Sequence, residues 1–142
     1  MLIGQGPLME DIKKKVNDLE LSDSVKFLGQ KDNVNEYYNA MDLFLFPSLY
    51  EGLGMVAVEA QVNGLPCVVS DEVPKIAKIS YNIEFVSLNE NKLKWTTIIN
   101  KLKNSGRKND KNNKLGKFDI KSENKKLKDF YLSILITKEH IK

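Results

Sequence analysis

At 142 residues, with 42% hydrophobic and 29% charged side chains, the chain is long enough for one domain with a real core and too apolar for disorder. A formal charge of +3, from 22 basic against 19 acidic side chains, falls short of the clustered basic face that nucleic acid demands. One cysteine, Cys67, excludes an intrachain disulfide, and no apolar stretch approaches the roughly 20 residues that span a bilayer. No signal peptide is visible at the start, so a cytoplasmic protein is expected.

In chain order, Met1 to Gly4 reads as the end of a strand and Gly4-Gln5-Gly6-Pro7 as a turn. Met9, Ile12, Val16 and Leu19 recur at helical spacing, which predicts an amphipathic helix from Leu8 to Leu21. Val25 to Leu28 is a short strand ended by Gly29. Asn33 is placed to N-cap a helix carrying Val34, Tyr37, Tyr38 and Met41. Leu43 to Phe46 is apolar at every position, the pattern of a strand covered on both faces. Gly54 to Asn63 reads as a helix stopped by Gly64. Cys67 to Ser70 is the next buried strand, with Cys67 as a small core residue, and Ile83 to Val86 is a weaker one interrupted by Glu84. A helix follows from Glu90 to Lys103 with Trp95, Ile98, Ile99 and Leu102 on one face. Asn104 to Asn113 is a polar stretch that reads as solvated loop. The last helix, from about Ser122 to about Ile136, carries the stripe Leu127, Phe130, Tyr131, Ile134 and Leu135. Strands alternating with helices through short glycine-containing connections indicate an α/β fold with a parallel sheet.

Ligands of open α/β sheets bind beyond the carboxyl ends of the strands. Four loops occupy that edge: Gly4 to Pro7, Gly29 to Asp32, Pro47 to Gly54, and Ser70 to Lys75. The third holds Glu51 and, eight positions on, Glu59, around Gly52 and Gly54. These glycines let the backbone approach a ligand, and the following helix N-terminus favours an anionic or sugar oxygen. A carboxylate accepting two vicinal hydroxyls is one way to grip a ribose. As a bare pair, however, the glutamates are better explained as a helix-start acid and a surface residue, and a glycosidase pair finds no other support. Gly4-Gln5-Gly6 lacks the third glycine of a dinucleotide fingerprint. His140 lies near the C-terminus, where exposure is expected. No metal-ligand spacing, nucleophile elbow or Ser/His/Asp set is present.

Five ordered blocks change that balance. They are Leu2-Ile3-Gly4-Gln5-Gly6-Pro7-Leu8, Val25-Lys26-Phe27-Leu28-Gly29, Met41 through Gly54, Val58-Glu59-Ala60-Gln61, and Gly64 through Ser70. In order and spacing the chain resembles the C-terminal, donor-binding half of a GT-B glycosyltransferase of family 4, the group 1 retaining transferases. Its ending, with Trp95, Arg107-Lys108-Asn109-Asp110 and Phe118-Asp119-Ile120, is similar to exopolysaccharide and capsule enzymes of the EpsF-like type. The resemblance implies a Rossmann-like parallel sheet with flanking helices over residues 1–104, a polar linker over 105–121 and a crossover helix over 122–142. It implies that Glu59 binds the ribose hydroxyls of a nucleotide-sugar donor, a UDP-sugar, and that Glu51 contacts the transferred sugar as the catalytic carboxylate. Backbone amides from Gly52 through Leu53 and Gly54 to Met55 would face sugar and diphosphate. Gly29, Gln30 and Val34 would lie at the base, and Gly4 and Gly6 would line the same cleft. No cofactor or metal is expected, because basic side chains and a helix N-terminus neutralise the leaving diphosphate in such enzymes. The alternatives are a subunit of a two-chain transferase, a non-catalytic nucleotide-sugar-binding or regulatory module, and an unrelated nucleotide-binding α/β protein such as a sugar-nucleotide epimerase half.

The departures from the family pattern carry expectations too. The Arg and Lys that hold the diphosphate, the central first strand and the acceptor domain would all lie before Met1, so an N-terminal acceptor half or a partner chain is the expected partner. Any peripheral membrane contact would come through that partner. The usual Gly-Gly-x-x-Glu loop is replaced by Asp71-Glu72-Val73-Pro74-Lys75, where Lys75 is a weak candidate for a charge near the donor. In the order 3-2-1-4-5-6 the strands at Leu2 and Leu43 lose their shared partner. Unpaired buried backbone costs about 1–3 kcal/mol per group against a total stability of about 5–15 kcal/mol. The chain alone is therefore expected to be marginal, unless those two strands close up or another chain fills the gap: circular dichroism and size exclusion should show a weakly cooperative or self-associating species, and a cooperatively melting monomer would contradict this.

Overall fold

The computed structural model describes residues 1–108 and 118–139. His140 and the Asn109-to-Asn113 part of the polar stretch lie outside them. The chain divides into two compact units, residues 1–37 and residues 38 onward, and each is described by itself.

In the first unit, Leu2 bridges Phe27 in parallel. The Leu2 amide donates to the Lys26 carbonyl and the Leu28 amide to the Leu2 carbonyl, at 2.8 and 2.9 Å. The two expected strands are thus reduced to a single bridge, because each segment offers only a few residues. Helix α1 (Met9–Asp18) is shorter at both ends than its apolar spacing suggests and buries no residue. Helix α2 (Val34–Ala40) runs across the division. Asn33 precedes it, and its amide donates to the Glu36 carboxylate at 2.6 Å, so that side chain is engaged with a neighbouring acid.

The second unit holds a three-stranded parallel sheet in the order β1-β2-β3, with β1 at Phe44–Phe46, β2 at Cys67–Ser70 and β3 at Ile83–Val86. Leu45 registers with Val68, and Val68 with Glu84. All four residues of β2 are buried, so both faces of the central strand are covered. Helix α3 (Met55–Val62) packs on β1 and β2. Helix α4 (Lys92–Ser105) covers Val68 and Val86 with Leu102, joined by Leu43, Trp95, Ile98 and Ile99. It starts later than its composition suggests, where Asn91 accepts from the Lys94 amide at 2.9 Å as an N-cap.

One expectation fails here. Leu43 to Phe46 reads as doubly covered, yet Leu45 is 46% exposed. It shares a face with Val68, but α4 seats on β2 and β3, and β1 is an edge of this sheet, so no layer among the described residues covers Leu45. The stop after α3 behaves as the glycine predicts. Gly64 has φ of 73°, its amide donates to the Gln61 carbonyl, and the Leu65 amide donates to the Ala60 carbonyl. That is the paired bonding of a Schellman C-cap, which turns the chain directly into β2. Helix α5 (Ile120–Glu139) starts two residues before the expected position, and Leu127, Phe130 and Tyr131 are exposed on it.

The interior of the second unit turns on one polar side chain. Gln61 is 3% exposed. Its amide nitrogen donates to the carbonyls of Ala57 and Ala77, both at 2.8 Å. Its carbonyl oxygen accepts from the amides of Ile79 and Ser80, both at 3.1 Å, and from the Ser80 hydroxyl at 3.2 Å. The helix is thereby fastened to the segment after the 3-10 turn Lys75–Ala77. Gln61→Leu keeps the volume and orphans two buried amides, so unfolding free energy should fall by about 3 kcal/mol in denaturant titrations. A loss below about 0.5 kcal/mol, the range of an ordinary surface substitution, would contradict this role.

Candidate donor site

The carboxyl ends of β1 and β2 open onto the loop from Pro47 to Gly54, which leads into α3. Gly54 is the N-cap residue of α3, with φ of 74° and ψ of 46°, a left-handed conformation that side chains rarely adopt. A Cβ there would also lie 2.9 Å from Cγ1 of Val73, which is fully buried. Glycine is therefore required both by the backbone and by the close approach of the loop after β2. Gly52 differs, since a Cβ added to it would meet nothing within 4 Å. No side chain caps the N-terminus of α3 among the described residues. The Ala57 amide turns back to the Gly54 carbonyl at 2.9 Å, which leaves the amides ahead of it at the positive end of the helix dipole.

The two glutamates sit on either side of this helix start. Glu51 is partly buried in the loop, and Ser48 Oγ donates to its Oε1 at 3.0 Å. Ser48 is pinned in turn, because Ser70 Oγ at the end of β2 donates to its carbonyl at 2.5 Å. A polar relay thus runs from the central strand to the Glu51 carboxylate. Glu59 lies on α3, four residues past its first, a rise of about 6 Å. Its flanking residues Val58 and Ala60 are buried, while its own side chain is exposed. Tyr38 Oη donates to Glu59 Oε2 at 3.2 Å. Burial first, and the Glu59 charge second, push the Tyr38 hydroxyl well above the usual phenol range, so it stays a donor at any physiological pH. Leu53 is partly buried and Met55 exposed.

The remaining candidates belong to the first unit. There the Gly4 amide donates to the Gly29 carbonyl at 2.8 Å, which sets the turn at Gly4 to Gly6 beside Gly29. Gly4 and Gly29 both have positive φ, at 129° and 67°. Gln30 is exposed, and Val34 is partly buried at the start of α2. Lys75 is exposed in the loop after β2. Its ammonium sits 3.6 Å from the centroid of the Phe85 ring on β3, a cation–π contact. Cys67 is fully buried, and desolvation pushes its thiol up to about 12, as suits an inert core residue. No group of three or more His, Cys, Asp or Glu side chains gathers to hold a metal among the described residues, and no helix among them is long and apolar enough to cross a membrane.

Two contributors escape a reading of the sequence. Tyr38 fits the apolar stripe of its helix and gives no sign of its bond to Glu59. Arg107 falls in the polar stretch that composition marks as solvated. Instead, its Nη2 donates to the carbonyls of Tyr38, Asn39 and Met41 at 2.5, 2.8 and 2.7 Å, and its Nη1 to that of Asn63 at 2.7 Å. The guanidinium joins the C-terminal ends of α2 and α3, where a cation is favoured.

Comparison with known proteins agrees with this geometry. The family profile described as glycosyl transferases group 1 matches residues 1–121. The chain is 37% identical over 110 residues to EpsF of Bacillus subtilis (strain 168), provisionally named a glycosyltransferase, covering 75% of this chain and 28% of that protein. It is 31% identical over 146 residues to the UDP-Gal:alpha-D-GlcNAc-diphosphoundecaprenol alpha-1,3-galactosyltransferase of Escherichia coli, covering 97% of this chain and 38% of that protein. Among solved structures it is similar to WaaG, a glycosyltransferase involved in lipopolysaccharide biosynthesis, with a TM-score of 0.63 at 20% identity over 72% of this chain and 28% of that one. That likeness concerns the fold, a Rossmann-like half of a GT-B architecture. The chain spans 28% and 38% of the lengths of the two relatives.

Proposed function

This chain belongs to the group 1 glycosyl transferases, and on that premise we propose that residues 47–62 form the donor-binding end of a retaining sugar transfer. The observation that carries the reading is the start of α3. A left-handed Gly54 presents an uncapped helix N-terminus, with Glu51 on the loop before it and Glu59 one turn beyond.

Each part has a chemical task in this reading. The Glu59 carboxylate accepts from the two ribose hydroxyls of a nucleotide sugar, and the amides at the start of α3 receive the diphosphate. Charge develops on that diphosphate as the glycosidic bond breaks, and fixed N–H donors stabilise it without reorganising and without a metal. Glu51 contacts the transferred sugar and orients it, steadied by Ser48.

The donor is a UDP-sugar and the product a cell-surface polysaccharide or its lipid-linked precursor. One relative is named for a UDP-Gal transfer to a diphosphoundecaprenol acceptor, which supports this choice. The setting is the cytoplasm, at the inner face of the membrane. Turnover requires an acceptor half, and the chain by itself binds donor without transferring it. A subunit of a two-chain transferase and a non-catalytic binding module would share the same donor site. Transfer to an acceptor after addition of the acceptor half separates the transferase readings from the module.

Glu59→Ala removes the acceptor for both ribose hydroxyls. Calorimetry with UDP- and GDP-sugars should find binding by the chain and its loss, by about 100-fold or more, in this variant. Unchanged affinity in Glu59→Ala would overturn the assignment.

A further inference from the structure

We propose that Tyr38 is a positioning residue for the Glu59 carboxylate, tuned to donors that carry free ribose hydroxyls. This rests on the donor-site reading above and adds to it a residue whose side chain would not touch the substrate.

A glutamate on an exposed helix face is free to sample several rotamers, and ordering it on ligand binding costs side-chain entropy. Glu59 is exposed, yet one of its oxygens already accepts from Tyr38 Oη. The tyrosine is well suited to hold it. It is 2% exposed, and its ring meets the edge of Phe44 at 5.8 Å with the planes 76° apart. Its hydroxyl lies 3.2 Å from both Glu59 Oε2 and the Val56 carbonyl, so it is aimed at one turn of α3. Its backbone is clamped from behind by Arg107, which binds the carbonyls of Tyr38, Asn39 and Met41 and reaches the end of α3 at Asn63. Hydroxyl and helix are therefore held in one frame. With Oε2 tethered, the remaining acceptor capacity of the exposed carboxylate is available to a ligand hydroxyl. A neutral donor fixes the carboxylate without neutralising it, so its capacity to accept from ribose is kept.

Removing the hydroxyl alone orphans nothing in the interior, because Glu59 is solvated and the Val56 carbonyl belongs to a helix. Tyr38→Phe should therefore fold and melt like the parent chain. Calorimetry with UDP and with 2′,3′-dideoxy-UDP, and with the corresponding guanosine pair, then separates positioning from packing. We expect Tyr38→Phe to weaken the nucleotide with hydroxyls by about tenfold, the worth of one hydrogen bond to a charged group, and to leave the dideoxy nucleotide unchanged. Equal losses for both members of a pair would mean a structural effect on the site and would overturn the proposal, as would no loss for either. A parent chain that binds neither UDP nor GDP would instead overturn the donor-site reading, and the proposal with it.

Discussion

The amide of Gln61 is the constraint on which the second unit depends. Helix α3 has only eight residues, too few to be stable by itself, and it is positioned by what its inner face grips. Gln61 binds its own helix at Ala57, the 3-10 turn at Ala77 and the incoming chain at Ile79 and Ser80, with no polar atom of its side chain left over. A buried polar group so fully satisfied specifies one arrangement, since any shift of the helix would break several bonds in a medium that cannot replace them. Two positions away, at 200° around the helix, Glu59 faces outward. The inner residue fixes where the outer one points.

Around this anchor the site is assembled from strand ends and caps. Gly54 brings the backbone against Val73, Gly64 turns the helix straight into β2, and Ser70 at the end of β2 holds Ser48, which holds Glu51. Both carboxylates are therefore referred to the same buried strand, one through two serines and the other through α3. Arg107 and Tyr38 add a second hold on the α3 side. In the proposed chemistry this is preorganisation: dipoles and carboxylates are set before the donor arrives, so little of the binding energy goes into ordering them.

Much of the fold could be read from local pattern. The run Cys67 to Ser70 and the stop at Gly64 placed β2 and the end of α3 to within a residue, because both depend on neighbours in sequence. The glycine at position 54 likewise signalled a turn, while its close approach to Val73 gave no sign in the sequence. What depended on distant partners stayed hidden. Leu45 reads as buried, since an apolar run looks the same whether or not a layer reaches it. The Leu2 and Phe27 segments read as strands, yet pairing that short yields one bridge. Tyr38 meets Glu59 across 21 positions and Arg107 meets Tyr38 across 69, separations at which no periodicity reports a contact. Polar composition around Arg107 pointed to solvent, and the carbonyls at two helix ends captured it instead.

The central claim is that Glu59 and the start of α3 hold one donor together. A structure of the chain bound to a UDP-sugar tests it most directly. The account predicts both ribose hydroxyls within hydrogen-bond distance, about 2.5–3.0 Å, of the Glu59 carboxylate, and a diphosphate oxygen on the amides at the beginning of α3. A donor bound with its ribose away from Glu59, or its diphosphate away from that helix start, would contradict it.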